Sequence, residues 1–170
     1  MTDDARRIEA AQRGDERAFE ALYLGHREWV AQVARRFGAS DADALDVVQE
    51  VFLYLARKLH GLELTADLRT LLYPAAKHLA LKRAARARRQ APLEAAPERV
   101  SPGAGAEVRL LVVKLLADLP GKQREVVDLR FLDGMSLEEI SRVLKIRLGT
   151  VKSRLHHALR RLRADIEAGD

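Results

Sequence analysis

Arg147-Leu148-Gly149-Thr150-Val151-Lys152-Ser153-Arg154-Leu155-His156-His157 is the stretch that decides how this chain folds. Val151, Leu155, Ala158 and Leu162 recur at helical spacing, so a helix here buries them and turns Thr150, Lys152, Ser153, Arg154, His157 and Arg161 outward. The segment just upstream carries the start signals of a second, shorter helix. Ser136 precedes Glu139 by the spacing of a capping box, and Met135 and Ile140 fit a hydrophobic staple. Ile140, Val143 and Leu144 form a short apolar face that ends near Lys145. A tight connection through Ile146, Arg147 and Leu148 then joins the two helices as a helix-turn-helix.

Between Arg142 and Arg163 every ionisable residue is basic or histidine, as phosphate neutralisation requires. A helix of this kind enters the major groove with its first turns against base edges. Arg147, Thr150, Lys152, Ser153, Arg154, His157 and Arg161 are therefore the candidate duplex-DNA contacts, with arginine and lysine suited to guanine and Ser153 to a phosphate. The plainer alternative is a solvated basic helix end. Agreement of box, staple, turn and charge favours DNA.

Composition agrees with that reading. A length of 170 residues, 48% hydrophobic, suits one domain or two small helical ones, and a formal charge of +5 favours an anionic partner. The absence of cysteine excludes disulfides, a thiolate nucleophile and a cysteine-bound zinc finger. Met1-Thr2-Asp3-Asp4-Ala5-Arg6-Arg7 lacks the apolar core of a signal peptide, and no apolar run approaches a membrane span, so a cytoplasmic location is the expectation. Adjacent His156 and His157 point about 100° apart on a helix, so a metal site is not expected, and no cofactor is expected either. Asp3-Asp4 and Glu138-Glu139 lie at helix starts, where the dipole favours carboxylates. A carboxylate cluster, phosphate loop or activated nucleophile is not visible, which argues against an enzyme.

Along the rest of the chain helical periodicity repeats and strand signals are nearly absent, so the expected fold is all-α. A first helix runs to about Arg13, where Gly14-Asp15 breaks it and caps the next, whose Phe19, Leu22, Tyr23, Val30, Val33 and Phe37 face a core; Trp29 packs at the edge. A third helix after Ser40 is expected to bury Ala42, Leu45, Val48, Phe52, Leu55 and Leu59. A fourth segment, from about Thr65 to Arg89, has no acidic residue after Asp67 and gathers Lys77, Lys82, Arg83, Arg86, Arg88 and Arg89. From Gln90 the pattern dissolves, and Pro92, Pro97 and Pro102 block regular helix. The expected organisation is two small helical domains, residues 1–89 and 107–170, joined by a flexible linker over 90–106. The second domain should hold a helix ending at Leu119-Pro120-Gly121 and another over Lys122 to Leu132, stopped by Asp133-Gly134 ahead of the helix-turn-helix.

Leu119-Pro120 through Leu162, above all Ser136-Leu137-Glu138-Glu139-Ile140 and Gly149-Thr150-Val151-Lys152-Ser153-Arg154, resembles the C-terminal domain of extracytoplasmic-function sigma factors of RNA polymerase. Gly14-Asp15-Glu16-Arg17-Ala18-Phe19-Glu20-Ala21-Leu22-Tyr23 resembles the opening of that family, and Asp46-Val47-Val48-Gln49-Glu50-Val51-Phe52 its polymerase-binding helix. The resemblance implies a sigma region 2-like domain followed by a region 4-like domain. It implies that Asp46, Gln49 and Glu50, which share one exposed helix face by spacing, dock on the clamp helices of the largest subunit of core polymerase. Tyr73, Lys77, His78, Lys82 and Arg83 would meet the −10 element and the Arg147 to Arg161 set the −35 element. Promoter DNA and an anti-sigma factor are the implied further partners, with the linker threading towards the RNA exit path.

Leu71-Leu72-Tyr73-Pro74-Ala75-Ala76-Lys77-His78 stands where the family has a Trp-Leu-Tyr-Arg-Ile-Ala-Arg-Asn type run, so Leu71, Pro74 and His78 are departures, as is His157 where arginine is frequent. Pro74 would kink a helix unless it lies in the first turn. A stand-alone helix-turn-helix regulator is the alternative function. It would leave the Asp46 to Phe52 motif without a role and would ordinarily need a dimer interface.

Overall fold

A computed structural model describes residues 2–90 and 114–168, and every regular element among these residues is helical. They fall in two compact units. The first holds α1 (Asp3–Gln12), α2 (Glu16–Arg36), α3 (Asp41–Lys58) and α4 (Leu68–Gln90). The second holds α5 (Gly121–Val127), a π-helical turn (Asp128–Leu132), α6 (Leu137–Leu144) and α7 (Leu148–Ala168), with residues 114–117 also helical. Gln90 ends α4; the remainder of the linker expected over 90–106, and the resumption of structure near Glu107, lie outside the described residues.

Polar side chains start the helices of the first unit. Thr2, Asp15 and Ser40 accept from the amides of Ala5, Ala18 and Asp43, which relieves orphan donors of α1, α2 and α3. The Asp67 carboxylate accepts from the Arg69 amide at 2.8 Å at the start of α4. Helix α2 ends in a Schellman motif, in which the Gly38 amide donates to Arg35 and the Ala39 amide to Ala34. Gly38 takes a φ of +88°, which that motif requires and which L side chains resist.

Helix α2 packs on α1, α3 and α4, and α3 packs on α4. Leu22, Val30, Val33, Val47, Val51, Leu55, Leu68 and Leu72 are fully enclosed there, while Phe19, Tyr23 and Phe37 are half-buried at the seams. Phe52 meets the edges of Phe19 at 6.4 Å and Tyr23 at 5.0 Å between ring centroids. The buried stripe of α3 differs from the sequence expectation. Ala44, Val47, Val48, Val51, Phe52 and Leu55 form it, Leu59 is half-buried, and Ala42 and Leu45 lie outside. Neighbours on two sides of α3 extend its buried face to take in Ala44, Val47 and Val51 and leave Leu45 61% exposed.

Helix α4 runs unbroken through Pro74, which stands beyond its first turn. Pro74 is exposed, so the bond that it denies the Thr70 carbonyl is lost on the outer side of the helix rather than in the core. Two polar ties hold α1. Gln12 donates both amide hydrogens across the unit, to the Leu59 carbonyl at 2.8 Å and the Leu62 carbonyl at 2.9 Å. His26 of α2, which is buried, lies 2.8 Å from the Asp4 carboxylate.

In the second unit Leu119, Val127 and Ala158 form a buried cluster with Leu116, Leu155 and Leu162 packed against it, and Val126, Leu129, Ile140 and Val151 are fully enclosed. The helix expected over Lys122 to Leu132 changes hand-hold near its end. The Asp133 amide donates to the Asp128 carbonyl five residues back, the wider spacing of a π turn. Both members of the capping box are present, with the Glu139 amide 3.2 Å from Ser136 Oγ and the Ser136 amide 2.8 Å from Glu139 Oε2. Met135 and Ile140 are both buried, as the staple requires.

Candidate functional site

Helix α7 presents the basic face that its periodicity predicts. Val151 and Ala158 are buried and Leu155 and Leu162 partly so, which fixes the rotation of the helix on α5 and α6. Arg147, Lys152, Ser153, His157 and Arg161 are exposed on the opposite side, and Thr150 and Arg154 are half-buried at its margin. The turn into α7 is drawn tight by Ser141 Oγ, which donates to the Ile146 carbonyl at 2.6 Å. Lys145 closes α6 with a φ of +53°, the one positive value outside glycine among the described residues. The Lys145 and Ile146 amides donate back to Arg142 and Ser141, a Schellman arrangement with lysine in the position that glycine favours. Gly149 sits in the first turn of α7 with open space where a Cβ would stand, so no neighbour within the chain requires a glycine there.

The acidic face of α3 forms as its spacing predicts, with Asp46, Gln49 and Glu50 exposed together. Two features of it were not legible from periodicity. Leu45 and Leu53, 61% and 55% exposed, flank Gln49 at positions i−4 and i+4 and add an apolar edge to the polar patch. Arg83 of α4 reaches across to the same face. Its Nη1 lies 2.8 Å from Asp46 and 3.4 Å from Asp43, and its Nη2 donates to Glu50. The hydrogen bond to Glu50 is the largest influence holding this guanidinium above its ordinary pKa. Asp43 is held below its ordinary value, first by the Ser40 hydroxyl and then by Arg83. Each bridge is partly exposed and by itself worth only about 0.2–1 kcal/mol.

The residues of α4 expected to meet DNA are not all on one surface. His78 and Lys82 are exposed, but Tyr73 is 2% exposed and packs edge-on to Phe37 at 6.1 Å inside the core, so it offers no stacking platform. Lys77 is half-buried, its ammonium 5.2 Å from the Phe37 ring centroid. Arg83 is engaged with α3 as described. Arg83 also lines a cleft of about 450 Å³ that has Lys82, Arg86, Arg89 and Gln90 of α4 on one side and the carboxylates of Asp43 and Glu50 on the other. Among the described residues no cluster of histidine and carboxylate side chains has the makings of a metal site.

Comparison with known proteins bears on both faces at once. The Sigma-70 region 2 family matches residues 22–90, which span the acidic and basic faces of α3 and α4, and the Sigma-70 region 4 family matches residues 109–162, which include the helix-turn-helix. The ECF RNA polymerase sigma-E factor of Escherichia coli (strain K12) is 30% identical over 168 residues, covering 89% of this chain and 87% of that protein. The ECF RNA polymerase sigma factor SigW of Bacillus subtilis (strain 168) is 26% identical, covering 95% of each. Among solved structures, CnrH in complex with the cytosolic domain of CnrY superposes with a TM-score of 0.73 at 26% identity, covering 99% of this chain and 100% of CnrH. The sigma factor RpoE of Bartonella quintana, at 21% identity and a TM-score of 0.62 over 88% of this chain and 96% of its own, shares the fold. Sequence kinship along nearly the whole length of both chains thus accompanies the two helical units and the helix-turn-helix, and this chain belongs to the extracytoplasmic-function sigma factors of RNA polymerase.

Proposed function

We propose the following division of labour within this alternative sigma factor, which directs promoter-specific transcription initiation. The unit of α1 to α4 binds core polymerase through Asp46, Gln49 and Glu50, with Leu45 and Leu53 adding apolar contact, on the clamp helices of the largest subunit. The basic turns of α4, His78 and Lys82 foremost with Lys77 and Arg83 behind them, meet the −10 element. The unit of α5 to α7 reads the −35 element through Arg147, Thr150, Lys152, Ser153, Arg154, His157 and Arg161. The observation that carries this reading is the coexistence in one chain of an exposed acidic, apolar-edged helix face and a basic recognition helix backed by a buried stripe. A stand-alone regulator has no use for the first of these.

The chain itself performs no chemistry in this scheme, since bond formation belongs to the polymerase. No described helix is long and apolar enough to cross a membrane, and a factor that works on polymerase and promoter works in the cytoplasm. An anti-sigma factor is the further partner we infer; CnrH was captured with another protein, the cytosolic domain of CnrY.

Transcription by purified bacterial core polymerase on DNA from upstream of this chain's own gene tests the assignment. A defined transcript that depends on the protein and is lost with Asp46→Ala or Gln49→Ala is the expected result. Retained duplex binding with no core binding and no transcript would return the answer to a stand-alone regulator.

A further inference from the structure

Arg83 sits between two surfaces that the assignment above gives to different partners. Its guanidinium holds Asp46, Asp43 and Glu50 of α3, while its own helix carries the basic turns directed to DNA. Two of those three carboxylates are the residues assigned to polymerase. A guanidinium always carries charge and presents a planar fork that fits carboxylate and phosphate equally well. At 26% side-chain exposure it cannot simply be left in solvent when its partners turn away.

We propose that Arg83 is an internal competitor for the polymerase-docking face, and that its transfer from carboxylates to promoter phosphate couples docking on polymerase to engagement of DNA. This rests on the reading of Asp46 and Glu50 as docking residues. In the free chain the Arg83 charge cancels part of the negative potential of α3 and occupies acceptor positions that cationic groups of polymerase would take. Docking exchanges Asp46 and Glu50, leaves the guanidinium with Asp43 alone, and frees it to turn towards Lys82 and Arg86 in a cleft of about 450 Å³ whose opposite wall carries Asp43 and Glu50. A backbone phosphate there restores a bidentate partner. Because coupling between two binding events is reciprocal, DNA that takes Arg83 strengthens the hold on polymerase by the same factor. The bridges are partly exposed and individually weak, so the effect is a modulation of about threefold to tenfold rather than a lock.

The test is a titration of the full-length, fluorescently labelled chain with purified core polymerase, first without DNA and then on promoter DNA, for wild type, Asp46→Ala, Arg83→Met and Arg83→Gln. Without DNA both Arg83 variants should bind core about threefold to tenfold more tightly than wild type, and Asp46→Ala more weakly. On promoter DNA the advantage of the Arg83 variants should vanish, since only the wild type gains the phosphate contact. Core binding unaffected by Asp46→Ala would remove the docking face and this inference with it. Weakened binding by Asp46→Ala, with both Arg83 variants equal to or weaker than wild type, would keep the docking face and overturn the exchange, leaving Arg83 as a brace. An advantage that persists undiminished on DNA would overturn the transfer to phosphate.

Discussion

Lys145 and Gly149 stand four residues apart with their conformational preferences reversed. Lys145 holds a φ of +53°, where a Cβ crowds the following carbonyl, in the position that Gly38 fills at the end of α2. Gly149 lies in a helix, where it costs stability, with nothing in the chain to crowd a side chain. Both choices become intelligible if DNA lies against this turn, the lysine supplying charge and the glycine room. Lys145→Gly should therefore raise folding stability by about 1 kcal/mol and lower the salt slope of DNA binding by about one. Urea denaturation and a salt-dependent binding titration measure the two effects. Gly149→Ala should stabilise the fold by up to about 1 kcal/mol while weakening −35 binding several-fold, and a variant that keeps full affinity would remove the argument from close approach. Arg83 shows the limit of reading charge by residue type. Its place in a basic run predicts DNA, whereas its partners lie 33 to 40 positions away, a separation that no local pattern reports.

At the scale of elements, helix type and helix ends were the legible part. The box at Ser136, the staple and the break at Gly14 are local devices, each acting over a few residues, and each forms as its spacing demands. The extent of a helix's buried face was less legible, because α3 is packed from two sides and its burial follows α2 and α4 rather than its own strongest apolar period. The continuity of α4 through Pro74 and the π turn after α5 escaped for the same reason, since surroundings decide whether an irregular turn is tolerated. At the start of α3, Asp43 is held below its ordinary value of 3.8 by Ser40 first and, against the opposing effect of burial, by Arg83. A depressed carboxylate contributes stability above its ordinary range, and that contribution disappears as pH falls through the depressed value. Thermal unfolding between about pH 5 and pH 2 should thus show a shallower loss for Asp43→Asn than for wild type.

Across the whole molecule, two cores of modest size share one chain, and each is assembled from its own residues. A fragment ending at Gln90 should fold by itself, with helical circular dichroism and a cooperative melt, and should still bind core polymerase without supporting −35 recognition. It must retain α1, because Gln12 satisfies the carbonyls of Leu59 and Leu62 beyond α3. In the second unit the π turn sets a problem of phase. One residue more per turn swings whatever follows by about 100° around the axis, so the path through Gly134 into α6 is aimed by the width of that turn. Deletion of a single residue between Asp128 and Leu132 would then do more than weaken a helix. It would deliver the recognition helix to DNA facing the wrong way, and a chain that still folded would be mute at its promoters.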